Sequence, residues 1–125
     1  MKENIALEKS EDFAVRIMNI YAKLRQDKVP YVLLEQMLRS ATSIGANLSE
    51  GICAVSAKDF LNKVYISLKE CSETKYWLRL LNKGGYLNLE TYNLLYEQAN
   101  EIFRILTATT KTLSNKLKPE ERYIF

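Results

Sequence analysis

The sequence predicts an all-α fold, an antiparallel up-down four-helix bundle, and three observations carry that prediction. The chain of 125 residues holds only four Gly and two Pro, too few breakers for many turns. Apolar residues recur at three- and four-residue spacings along four long stretches. The connections between those stretches are short, which suits antiparallel neighbours. A chain of this length reads as one domain, residues 1–125, large enough to bury a core without metals or crosslinks.

Residues 1–9 are polar apart from Ile5 and Leu7 and read as a frayed lead-in. Ser10 is an expected N-cap, with Glu11 and Asp12 where the helix dipole favours acids. Phe13, Ile17, Ile20, Tyr21 and Leu24 then give a first helix over about 10–26. Asp27-Lys-Val-Pro30 breaks it, because Pro30 lacks an N–H and disfavours helix just before itself. A second helix is expected over 31–53.

Ser56, with Asp59 three positions on, forms a capping box with a short carboxylate and opens a third helix over 57–83. Its core side is Phe60, Val64, Ser67, Cys71, Thr74 and Leu78. Gly84-Gly85 stops it, since glycine adopts the left-handed conformation cheaply at a helix end. Asn88 caps a fourth helix over 89–117, whose stripe runs from Tyr92 through Leu95, Ile102 and Leu106 to Leu117 before Pro119.

The second helix contains an unusual run of small residues, Arg39-Ser-Ala-Thr-Ser-Ile-Gly-Ala-Asn-Leu-Ser-Glu-Gly51. Propensity disfavours helix here, but Leu33, Gln36, Met37, Ser40, Ile44, Asn47, Leu48 and Gly51 fall on one side at helical spacing. Small residues let a neighbouring backbone approach closely. Gln36, Ser40, Ser43 and Asn47 would then form a polar network inside the bundle, each in need of a partner. A phosphate loop is excluded, because Gly51 is followed by Ile-Cys and not by Lys-Ser/Thr. Asn47-Leu-Ser49 fits a glycosylation acceptor, but no secretory signal precedes it.

Eighteen basic against fifteen acidic residues give a net charge of +3, mildly basic. Histidine is absent, which removes the commonest general acid/base and the commonest zinc ligand. No nucleophile–base pair stands out. The chain therefore reads as a non-enzyme, with no catalytic, cofactor-binding or metal residues. Glu70 and Glu73 alone do not make a di-metal site, which in a bundle wants Glu-x-x-His on two helices. Cys53 and Cys71 lack a CxxC pattern and read as reduced, buried thiols. No apolar run approaches the roughly 18 residues of a membrane span, so a cytoplasmic protein with no membrane partner is expected.

Opposite its core side the third helix carries Lys58, Tyr65, Lys69, Ser72, Tyr76, Arg79 and Lys83 on one strip without an intervening acid. Cations meet phosphates and rings stack on unpaired bases, so this pattern suits a nucleic acid. The fourth helix adds Arg104, Lys111 and Lys118 at seven-residue steps. A plain solvated face gives a similar pattern, since outer helix faces are often Lys-rich. Ile66, Trp77 and Leu80 lie on a further flank and suggest a subunit interface, Trp being enriched at interface cores. A wide apolar arc in a fully buried helix is the simpler alternative. Arg39 and Glu50 are about 16 Å apart along one helix and cannot pair, so each needs a partner elsewhere or water.

The motif Arg39-Ser-Ala-x-Ser-Ile-x-x-Asn-x-x-Glu-Gly51 resembles the signature of the bacterial four-helix-bundle proteins encoded in 23S rRNA intervening sequences. Ser56-Ala-Lys-Asp-Phe60, Ser67-Leu-x-Glu70 and Leu80-Leu81 before the Gly-Tyr turn also match, and the likeness spans residues 10–117. That family is in turn similar to the accessory protein of diversity-generating retroelements, a pentameric barrel that binds nucleic acid and a reverse transcriptase. The resemblance thus implies a homo-oligomer, a pentamer, with nucleic acid and a possible protein partner. Two readings remain side by side. One is an oligomeric bundle that binds structured RNA or DNA through a basic outer face. The other is a protein-binding adaptor or scaffold whose charges only keep it in solution.

Overall fold

Four helices follow one another in the computed structural model, which describes residues 2–117, with side chains from Ile5 onward. They are α1 (Lys2–Gln26), α2 (Tyr31–Ile52), α3 (Ala57–Lys83) and α4 (Leu89–Lys116). Each packs on the next in sequence, and α4 returns to α1 through the thinnest of the four seams. The result is an all-α four-helix bundle. Phe13, Ile17, Leu34, Met37, Leu78 and Leu95 are among the side chains that fill its axis.

The first helix corrects the expected start at Ser10. It begins at Lys2, and Ser10 lies fully buried within it, its hydroxyl donating to the Ala6 carbonyl at 2.7 Å. The reason is tertiary. Ala6 is buried and Leu7 packs against the core, so the polar lead-in earns helical structure from contact that propensity alone does not offer. Gly45 faces this segment, and a Cβ built on it would lie 3.5 Å from Ser10 Cβ and 3.9 Å from Leu7 Cδ1.

Two of the three turns use the same device. After α1, the Val29 N–H donates to the Leu24 carbonyl at 3.1 Å and the Lys28 N–H to that of Arg25 at 3.2 Å. After α3, the Tyr86 N–H donates to Leu81 at 2.9 Å and the Gly85 N–H to Asn82 at 3.1 Å. Both are Schellman closures with a left-handed residue at the pivot. Gly85 fills that place at φ 82°, but Lys28 fills the other at φ 61°. Of the Gly84-Gly85 pair only Gly85 needs to be glycine for its backbone angle. Ser56 Oγ accepts from the Asp59 N–H at 3.0 Å and Asn88 Oδ1 from the Thr91 N–H at 2.8 Å, so α3 and α4 start on their expected caps.

The cysteines differ from the expected buried pair. Cys71 is buried, its thiol donating toward the Ala99 carbonyl at 3.2 Å, and burial pushes its pKa up to about 12. Cys53 is exposed, because it caps the C-terminus of α2 where the chain leaves the bundle wall. None of the described helices is long and apolar enough to cross a membrane.

Candidate nucleic-acid interface

The small-residue run of α2 forms the seam with α3. Ser67 reaches across from α3 and donates to the Ile44 carbonyl at 2.9 Å, with both groups buried. Thr74 Oγ1 lies 3.0 Å from Ser40 Oγ, and both residues are fully buried. Gly51 admits the Phe60 ring so closely that a Cβ there would lie 3.0 Å from Phe60 Cδ1.

The expected inter-helix network of Gln36, Ser40, Ser43 and Asn47 shrinks to Ser40. Ser43 donates to the Arg39 carbonyl and Asn47 to the Ser43 carbonyl, both within α2. Gln36 Oε1 meets Arg39 Nε at 3.5 Å, also within α2. Short polar side chains half-buried on a helix satisfy themselves on the preceding turn when no partner is close.

Arg39 and Glu50 find their partners on α3. Lys63 Nζ lies 3.0 Å from Glu50 Oε1. Arg39 grips two carboxylates, Glu70 Oε2 at 3.0 Å and Glu73 Oε2, and the same Glu73 oxygen accepts from the Trp77 indole N–H at 3.0 Å. The N–H of Trp77, ahead of Arg39, holds the Glu73 carboxyl below its ordinary range. Glu70 and Glu73, beside the outer strip of α3, are therefore already engaged.

On that strip Lys58, Lys69, Ser72, Tyr76, Arg79 and Lys83 are exposed and Tyr65 is half-buried. Among the described residues no carboxylate pairs with Lys58, Lys69 or Lys83. Arg79 donates to the Tyr96 hydroxyl at 3.1 Å and Lys75 to Asn100 Oδ1 at 2.9 Å, which fixes the antiparallel register of α3 and α4. At equal rise along both helices this brings Arg104 to the level of Cys71 and Lys111 to that of Val64. Arg104 and Lys111 are exposed, though Arg104 also lies 3.5 Å from Glu97. Lys118 lies outside the described residues.

Of the apolar flank, Leu80 is exposed, while Ile66 and Trp77 are half-buried. Trp77 has a partner inside its own chain in Glu73 and packs edge-on against Tyr76, ring centroids 5.0 Å apart. Sequence reasoning missed Lys63 and Lys75. Lys75 sits over the Phe103 ring at 4.3 Å, an inward-turned cation that no charge pattern on α3 distinguishes from its solvated neighbours. No group of side chains able to hold a metal occurs among the described residues.

The family model for the 23S rRNA-intervening sequence protein matches residues 2–108. In fold the chain is similar to a crystal structure from Bacteroides thetaiotaomicron VPI-5482, described as a protein with unknown function from the S23 ribosomal protein family. The two share 44% identity at a TM-score of 0.86, over 89% of this chain and 99% of that one. Among curated proteins no relative matches.

Proposed function

Because the chain belongs to the 23S rRNA-intervening sequence protein family, we propose that it binds structured RNA or DNA through the outer face of α3 and α4. In this reading it is a cytoplasmic, non-enzymatic homo-oligomer, a pentamer by resemblance, with room for a protein partner. One observation carries it. Lys58, Lys69 and Lys83 stand exposed on one line of α3 with no carboxylate partner among the described residues, and Arg39 occupies Glu70 and Glu73 beside that line. A cation left unpaired beside neutralised acids is available to phosphate, and each phosphate contact releases counterions.

The test is the affinity of the full chain for a labelled hairpin RNA, read by fluorescence anisotropy over a range of salt. Affinity should fall steeply with salt, and the K58E/K69E/K83E variant should lose binding while keeping its helical circular dichroism. The substitutions lie opposite the core, so they cost packing little. If the wild type binds no nucleic acid at low salt, the adaptor reading replaces this one. If only the triple variant is unaffected, Arg104 and Lys111 are tested in the same way.

A further inference from the structure

Eight tyrosines are present in the chain, and the setting of Tyr76 is suited to a ligand. Tyr76 is 46% exposed in the middle of the basic strip, yet its ring is braced on both flanks. On the α2 side the Trp77 indole meets it edge-on, at 5.0 Å and 72° between ring planes. Trp77 is in turn held by Glu73, and Glu73 by Arg39. On the α4 side the Arg79 guanidinium lies 6.0 Å from the Tyr76 ring centroid while it donates to Tyr96. Lys69 and Lys83 are exposed two helical turns before and after Tyr76, about 10 Å away along the axis.

Five other tyrosines are set differently. Tyr92 and Tyr96 lean on each other at 5.3 Å, and Tyr21 donates to Glu35. Tyr31 is exposed, but Arg25 covers its ring at 4.8 Å. Tyr86 is exposed in the α3–α4 turn, beyond the end of the strip.

We propose that Tyr76 is a stacking platform for a single unpaired nucleobase, with Trp77, Glu73 and Arg39 as the brace that fixes its ring and Lys69 and Lys83 taking the phosphates on either side. This rests on the nucleic-acid reading and narrows it to single-stranded or looped segments. A base within a duplex shows only its edges, because its faces are covered by its neighbours, whereas an unpaired base offers a whole π-face. A side chain with two χ angles held from both sides loses little freedom on stacking. The nearby acids Glu70 and Glu73 are bound to Arg39, so the surroundings favour the polyanion over an acidic peptide.

Trp77 is the only tryptophan in the chain, which makes its emission a local reporter of what reaches Tyr76. The full-length protein is titrated with oligouridylate and, separately, with a blunt RNA duplex carrying the same number of phosphates. Anisotropy of labelled strands reports binding, and Trp77 emission reports the site. Oligouridylate should change Trp77 emission saturably, and the duplex should bind without that change. Tyr76→Ala should cost about 10-fold or more in affinity for the single strand, while Tyr76→Phe keeps it and duplex binding stays unchanged.

Arg39 and Glu73 are positioning residues. Glu73→Ala should weaken single-strand binding by a few-fold and alter free Trp77 emission, and Glu73→Gln, which keeps an acceptor for the indole, should restore both. If wild type binds both ligands but Trp77 stays silent, or Tyr76→Ala weakens both equally or neither, the platform is overturned and the broader surface reading stands. The silent-Trp77 outcome needs no variant, so it decides the matter even if Tyr76→Ala misfolds. If wild type binds neither ligand, both readings fall.

Discussion

Arg39 of α2 and Glu73 of α3 meet across the seam, and the Glu73 oxygen that faces the guanidinium also accepts the Trp77 N–H. One carboxylate thus ties the start of the small-residue run to the aromatic pair on the outer face.

This link should titrate. The folded state depresses the Glu73 pKa, so the folded protein binds that proton less tightly than the unfolded chain. Its contribution is complete above the ordinary value of 4.5 and fades as pH falls through the lower folded value. Trp77 emission should be flat from neutral pH to about 5 and shift below that range, and Glu73→Gln should remove the shift. Arg39→Ala should lower stability by only about 0.5–1 kcal/mol, since the guanidinium is half exposed.

Two glycines of α2 should respond to alanine with opposite signs. At Gly51 the new methyl meets Phe60 Cδ1 at 3.0 Å and Lys63 Cβ at 3.3 Å, and the latter moves only if the α3 backbone moves. Gly51→Ala should lose about 1 kcal/mol after the gain in helix propensity. At Gly45 the nearest atom is 3.5 Å away, an ordinary contact, so Gly45→Ala should gain about 0.5–1 kcal/mol. Chemical denaturation of both variants checks the pair.

Lys28 holds a left-handed conformation that its twin turn assigns to Gly85. Lys28→Gly should stabilise by about 0.5–1 kcal/mol, the relief of backbone strain exceeding the added freedom of the unfolded chain. Gly85→Ala should destabilise by about 1 kcal/mol. Equal melting temperatures for wild type and Lys28→Gly would show that the turn carries no strain.

The thiols should separate cleanly in a labelling experiment. One thiol per native chain should react quickly near neutral pH, and Cys53→Ser should abolish that phase. Cys71, buried and with its pKa near 12, should react only as fast as the bundle opens.

Self-association is tested by sedimentation at micromolar concentration. The wild type should run larger than a monomer, and Leu80→Asp should shift it toward monomer without loss of helicity. Trp77→Ala should weaken assembly as well, but with a stability cost, because its ring packs partly within its own chain. A monomeric wild type would end the assembly proposal.

The fold class and the caps at Ser56 and Asn88 were legible because each depends on residues within one turn of one another. The start of α1 was not, because Ala6 and Leu7 become helical through contact with α2. The polar run of α2 was only partly legible for a related reason. A wheel shows that Ser40 and Asn47 share a side, but only the helix register shows that Thr74 faces Ser40 while Asn47 bonds back to its own helix. Asn47→Leu should accordingly cost less than the 1–3 kcal/mol expected of a stranded buried partner. The spacing of Arg39 and Glu50 left each with a partner elsewhere or water, and the choice of Glu70, Glu73 and Lys63 required the crossing of α2 and α3.

The thin seam between α1 and α4 joins the first and last helices of the sequence. The other three join consecutive helices across short turns, so each can form as a local hairpin with little loop-closure entropy. Beside that seam lies an open groove of about 610 Å³, lined by Ile5, Ile105 and Leu113 among others, and elsewhere along the seam an exposed Lys9–Glu101 pair bridges α1 and α4 at 3.3 Å. Folding should therefore proceed outward from the α2–α3 hairpin and end when the terminal helices meet. Amide hydrogens of α1 should exchange with solvent ahead of those on α2 and α3, because the thinnest seam is the first to open.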